Sequence, residues 1–334
     1  DQPPIRLLAH SMGGLVVRAM IAARPDLWDR IHARDGGRFV MLGTPNQGSH
    51  SMVSTLLGKD DTMRKLARLV DMKHDLQDLL DIIKEFRGAL QLLPQPGFVD
   101  EAGAQAQDAD YYRAELWPTY RARNRDFWFG DGIVGAPTKA ALDEARALWS
   151  GSADFREARL PDKHQERIVY VCGQSLSTPC GLRLEGGKWK ILVTAQGDGT
   201  VTWKSGLIRG LERERNVYFM QAEHGALPST ERAFPAIVDL LQSGDTQRRD
   251  QLSRSPSMAR EALDVIRSVD VGPVPYPTVD EVLDGLAGHR RARLPATRKA
   301  AVLKVSCTAM DLRFATRPVM VGHYDRDAIS GAEA

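Results

Sequence analysis

Cysteine is scarce in this sequence: Cys172, Cys180 and Cys307 are the only ones among 334 residues. An odd set without C-x-x-C spacing excludes a disulfide framework, and it offers neither a zinc-ribbon nor a redox motif. A reducing compartment follows, with the cytoplasm as the expected location. Long apolar runs are missing too, and without about eighteen consecutive apolar residues no segment is expected to cross a bilayer as a helix. Charge of one sign is not in excess, because 45 Lys and Arg stand against 43 Asp and Glu. No long-range field therefore argues for nucleic acid or for an anionic membrane. The basic run His289-Arg290-Arg291-Ala292-Arg293 has no interleaved aromatics and reads as solvated linker. Partners have to be argued from sites.

What the sequence does contain, close to its start, is a strand, a sharp turn and a helix. Ile5-Arg6-Leu7-Leu8-Ala9 is a short apolar run, His10-Ser11-Met12-Gly13-Gly14 is the turn, and Leu15, Val16, Ala19, Met20 and Ala23 recur at helical spacing until Arg24-Pro25. A serine at such a corner projects its hydroxyl above the sheet, and the residues two before and two after it must be small. Those residues are Ala9 and Gly13. Ser11 is therefore a candidate nucleophile. The competing reading is a glycine-rich turn in which Ser11 only caps the helix.

Ala9-His10-Ser11-Met12-Gly13-Gly14, followed by the strand and turn Arg38-Phe39-Val40-Met41-Leu42-Gly43-Thr44-Pro45-Asn46-Gln47-Gly48-Ser49, resembles the α/β-hydrolases, and within them the lipases. The resemblance implies an α/β fold, the α/β-hydrolase fold, with a mostly parallel sheet flanked by helices. It also implies several strands and an oxyanion-hole loop ahead of the nucleophile, where this chain has ten residues. The N-terminal strands and the second oxyanion donor are thus expected upstream of Asp1, and the chain is expected to be a piece of a larger bacterial multidomain protein.

Residues 50 to about 166 are too long for a simple connection and read as a large helical cap. Leu66, Leu69, Val70, Leu76, Leu79, Leu80, Ile83, Phe86 and Leu90 form an apolar stripe on one long helix or two successive ones. Such a helix fits either a lid meeting a lipid surface or an ordinary packed helix. The aromatics Tyr111, Tyr112, Trp117, Tyr120, Phe127, Trp128 and Phe129 fit core or the wall of a pocket. A further helix is expected from about Thr138 to Trp149.

Beyond the cap, Ile168–Cys172 reads as a buried strand, and Leu182–Leu184 with Trp189–Val193 as a hairpin around Gly186-Gly187. Gln196-Gly197-Asp198-Gly199-Thr200-Val201 follows. Its glycines let the backbone turn and leave Asp198 free to face an imidazole. Asp131, in Gly130-Asp131-Gly132, is a rival without a strand before it, and either aspartate also fits a plain turn. Val217–Met220 is the last strand, a helix runs from Phe234 to Leu241, and His224 lies in the loop between them. Of the eight histidines it alone occupies the slot of the base in the order Ser, Asp, His. His10, beside the elbow, is implied by the resemblance to support the site. With these residues the likeness narrows toward lecithin:cholesterol acyltransferase-like and inositol-deacylase-like lipases.

Three regions result: a hydrolase domain over 1–243, a linker over 244–298 with helices near 259–269 and 279–286, and the start of a second domain over 299–334. The last is weakly similar to a module that neighbours caspase-like CHAT domains. The expected function is a serine hydrolase acting on small-molecule or lipid acyl esters, with Ser11, His224 and Asp198 as triad and the Met12 backbone N–H in the oxyanion hole. No cofactor or metal is called for, and the other partners expected are further domains of the same chain and a lipid surface touched by the cap. The alternatives are acyl transfer to an alcohol and a non-catalytic interaction module.

Overall fold

The computed structural model describes residues 3–59, 76–107, 110–124, 136–161, 163–211, 213–258 and 263–269. The chain divides into a unit spanning 1–272 and a second spanning 273–334, and all described residues belong to the first. Asp131, Phe127–Phe129, the first half of the cap stripe, Cys307, the helix near 279–286 and the region 299–334 lie outside the described residues.

Short runs of branched and aromatic residues form the central sheet. β1 (Arg6–His10), β2 (Arg38–Leu42), β3 (Ile168–Cys172) and β6 (Val217–Phe219) lie side by side in that order, and all pairs are parallel. Every residue of β3 is buried, as suits a parallel sheet covered on both faces. The alternation of strand side chains sorts the core into two layers. Phe39 and Met41 pack with Tyr170, Trp203 and Phe219 on one face. Val40 and Leu42 pack with Val171, Tyr218, Leu227 and Leu240 on the other. This is the mixed α/β architecture expected from the sequence. Among the described residues no strand pairs with the outer edge of β1, and Ile5, Leu8, Met12 and Val16 are exposed along it.

Between β1 and β2 lie α1 (Met12–Ala23) and α2 (Pro25–His32), the second started by a proline at its first turn. The cap region carries α3 (His50–Leu56), α4 (Leu76–Ile83), α5 (Arg87–Leu90), α6 (Leu116–Asn124), α7 (Lys139–Ser150) and α8 (Ala153–Arg156). In the described part of the apolar stripe the helix is broken at Glu85-Phe86. α7 starts where the sequence suggests, because the Thr138 hydroxyl accepts the Ala141 amide. Tyr111, Tyr112, Trp117 and Tyr120 are core and not pocket wall: they pack with Trp149, Phe155, Leu182 and Ile191. Arg18 of α1 is buried and pins this layer to the elbow helix. Its guanidinium donates to the Asn46 carbonyl at 2.7 Å and the Asp154 carbonyl at 3.0 Å, and stacks 4.4 Å over Phe155. Burial lowers its pKa to about 10, so it remains a cation at neutral pH.

β4 (Thr178–Glu185) and β5 (Lys188–Thr194) form the expected hairpin, turning at Gly186 and Gly187, both at positive φ. α9 (Trp203–Gly206) and α10 (Arg213–Asn216) then lead to β6, and α11 (Phe234–Ser243) ends at Gly244 in the left-handed region.

The region after 243 departs from the linker expected there. Leu252 is fully buried, Ser253 pairs with Phe219, and Arg254 donates to the Val217 carbonyl, the Tyr218 hydroxyl and Asp245. Of the helix expected near 259–269, residues 259–262 lie outside the described residues and Leu263 is helical, but its end is a strand instead: β7 (Arg267–Val269) pairs antiparallel with β5. Three exposed residues taken up by an edge strand carry no periodic signal, so the local pattern could not reveal it.

Candidate active site

The loops that follow β1 and β6 meet the loop that follows the β4–β5 hairpin, which lies against Gly43 and Gly173 at the carboxyl ends of β2 and β3. Ser11 follows β1 with φ 55° and ψ −131°, a left-handed conformation that costs a non-glycine residue about 1–3 kcal/mol. The turn is held by the Ser11 amide donating to the Leu42 carbonyl and the Gly14 amide donating to the Ser11 carbonyl. The serine side chain makes no capping bond to α1, which removes the helix-cap reading. Ala9 and Gly13 do face one another: a Cβ on Gly13 would lie 3.7 Å from that of Ala9. The tighter position is Gly14, where a Cβ would fall 2.2 Å from Thr44 Oγ1.

The Ser11 hydroxyl and His224 Nε2 are 2.8 Å apart, and His224 Nδ1 is 2.8 Å from Asp198 Oδ2. A carboxylate can only accept, so Nδ1 carries the proton and Nε2 is left to accept from Ser11. Asp198 Oδ1 accepts from the amides of Thr200 at 2.9 Å and Val201 at 2.7 Å. The aspartate is thus surrounded by N–H donors and sealed, with its side chain 2 % exposed against 12 % for His224. The two loops are also joined through the backbone, as the His224 amide donates to the Asp198 carbonyl at 2.8 Å. Ser11, Asp198 and His224 are brought together as the sequence order suggested. Met12 N–H belongs to the first turn of α1, whose amides lack intrahelical partners. It follows the serine directly, at the positive end of a helix with no acidic residue in its first turn.

Neither a protein-family model nor a curated protein matches this chain. Among the described residues no group of three or more His, Cys, Asp or Glu is placed to hold a metal ion, and no helix is long and apolar enough to cross a membrane.

His10 braces the backbone at His224. Its Nε2–H donates to the His224 carbonyl at 2.9 Å, and the two rings stand 5.0 Å apart. Burial is the main cause that lowers the His10 pKa from 6.5, and repulsion from His224 adds to it. In the unfolded chain His10 titrates near 6.5 and in the folded chain below it, so below 6.5 the unfolded state binds more protons. Its contribution to stability is complete above pH 6.5 and is lost as pH falls from there through the lower folded value. The urea midpoint is expected to fall less between pH 7.5 and 5.5 in His10→Gln, which keeps the donor, than in wild type. Equal falls would contradict this.

The segment Gly43–Ser49 lies against the acid loop. Gly43 has φ 57°, and a Cβ there would meet Asp198 Oδ2 at 2.8 Å and His224 Nδ1 at 3.1 Å. Tyr170 donates to the Thr44 carbonyl, Asn46 to the Gly206 carbonyl, and Ser49 to the Thr200 carbonyl. No local pattern in the sequence marks this contact: the segment packs against the Asp198 and His224 side chains through Gly43.

Proposed function

We propose that this unit is a serine hydrolase of the α/β-hydrolase type that cleaves acyl esters. The observation that carries the reading is the continuous chain of hydrogen bonds from the Ser11 hydroxyl through His224 to the buried Asp198, with the serine on a strained strand-to-helix corner. A structural serine needs neither the strain nor the buried carboxylate behind an imidazole.

In the reaction, Ser11 Oγ attacks the ester carbonyl while its proton passes to His224 Nε2. Asp198 holds the ring and offsets the imidazolium charge. The Met12 N–H, backed by the α1 dipole, donates to the oxyanion. His224 returns the proton to the departing alcohol as the carbonyl–oxygen bond breaks, leaving an acyl group on Ser11. Water then attacks that acyl group, giving its proton to His224, and serine and carboxylic acid are regenerated. An apolar acyl group is favoured by the surroundings. Met12 is 45 % exposed beside the nucleophile, Gly88 comes close to its thioether, and Phe86, two residues before Gly88, is 57 % exposed.

The test is a series of p-nitrophenyl esters from acetyl to long acyl chains. The expected result is a burst of p-nitrophenol equal to the enzyme added, followed by slower turnover, with higher kcat/KM for the longer chains. Absence of both burst and turnover in folded protein would overturn the reading.

A further inference from the structure

A second buried histidine–carboxylate pair lies beside the acid loop and takes no part in the proton path. His50 opens α3 and Asp100 lies between α5 and α6, with side chains 8 % and 1 % exposed. His50 Nδ1–H donates to Asp100 Oδ2 at 2.9 Å. The other oxygen, Oδ1, accepts from the Thr202 hydroxyl at 2.5 Å and from the Glu101 amide at 2.8 Å. The Tyr111 ring packs edge-on against His50, with centroids 5.6 Å apart at 85°.

Thr202 is where the loop carrying Asp198 closes. It forms a bridge with Gly197, and its hydroxyl accepts the Ser205 amide as the cap of α9. Within the loop, the Asp198 amide donates to the Val201 carbonyl, while the amides of Thr200 and Val201 fix the Asp198 carboxylate. A shift at Thr202 is therefore passed through the amides on Oδ1 to the carboxylate whose other oxygen, Oδ2, faces His224. Stability alone gives little reason for the pair, because a buried polar network is not in general more stabilising than well-packed apolar side chains. Its attachment to the loop closure gives a better one.

We propose that His50 and Asp100 are positioning residues for Asp198: His50 fixes Asp100, and Asp100 fixes Thr202 at the closure of the 197–202 loop. This role rests on the hydrolase reading above. The cap region thereby sets the acid, so that cap packing and nucleophile activation are coupled through one carboxylate.

The experiment is a double-mutant cycle on the full chain, read as the rate constant for fluorophosphonate labelling of Ser11. Asp100→Asn is expected to slow labelling by about tenfold to a hundredfold, the scale of a small misplacement in a catalytic array. In an Asp198→Asn background the same change is expected to cost nothing further, because the group it acts through is already gone. His50→Leu should behave like Asp100→Asn, whereas His50→Asn, which keeps an N–H donor, should stay within about threefold of wild type. Equal losses in both backgrounds, or no loss in the wild-type background, would overturn the proposal. Should folded wild type fail to react, the hydrolase reading falls, and amide exchange decides the positioning role separately. Exchange at Thr200 and Val201 should quicken at least about tenfold in Asp100→Asn while β3 is unchanged. Unaltered exchange at those two amides would refute the role.

Discussion

Ser11→Ala is expected to abolish the p-nitrophenol burst and to reduce ester turnover by about a millionfold, the scale seen when a hydrolase loses its nucleophile. The fold should survive, because among the described residues the Ser11 hydroxyl bonds only toward His224 and makes no cap to α1. Relief of the serine's left-handed backbone is not gained either, since alanine meets the same steric cost at φ 55°. Thermal unfolding should therefore move little while activity vanishes. Ester turnover retained in the alanine variant would mean that the chemistry resides elsewhere.

Gly43→Ala is the second large effect. The new methyl group would come within 2.8 Å of Asp198 Oδ2, 3.1 Å of His224 Nδ1 and 2.7 Å of Leu227 Cδ1, so the acid and base must separate to admit it. Turnover is expected to fall by about a thousandfold or more, approaching the loss of about ten-thousandfold typical when the triad acid no longer orients the imidazole. Part of any change could arise from backbone strain, because Gly43 has φ 57°. Gly186→Ala supplies the control, with the same φ of 57° in the β4–β5 turn and open space around it. It should show the stability cost of the strain alone and no loss of activity. If both variants lose activity in proportion to stability, the contact of Gly43 with the acid–base pair carries no functional weight.

The parts of the site that the sequence reveals are those with local signatures. Ser11 is legible because small residues flank it and a strand and a helix bracket it. Asp198 is legible because glycines surround it, and His224 because it follows the last strand. The unbroken apolar run Phe39-Val40-Met41-Leu42 likewise marks a strand buried on both faces. What stays hidden depends on distance along the chain. His50 and Asp100 are separated by fifty residues, and neither sits in a pattern that suggests a partner. Arg18 occupies a polar-looking place on α1, yet the cap folds over it and turns it into a buried anchor. The crowding at Gly14 comes from Thr44 at the end of a different strand. β7 is three exposed residues added to an edge by pairing alone, which no periodicity announces.

Activation of Ser11 by His224 is tested most directly by fluorophosphonate labelling followed by peptide mapping, with wild type and His224→Ala compared at neutral pH. Stoichiometric modification of Ser11 in wild type, absent from a folded His224→Ala variant, is the expected result. A folded wild type that stays unlabelled, or that reacts equally well without His224, would contradict it.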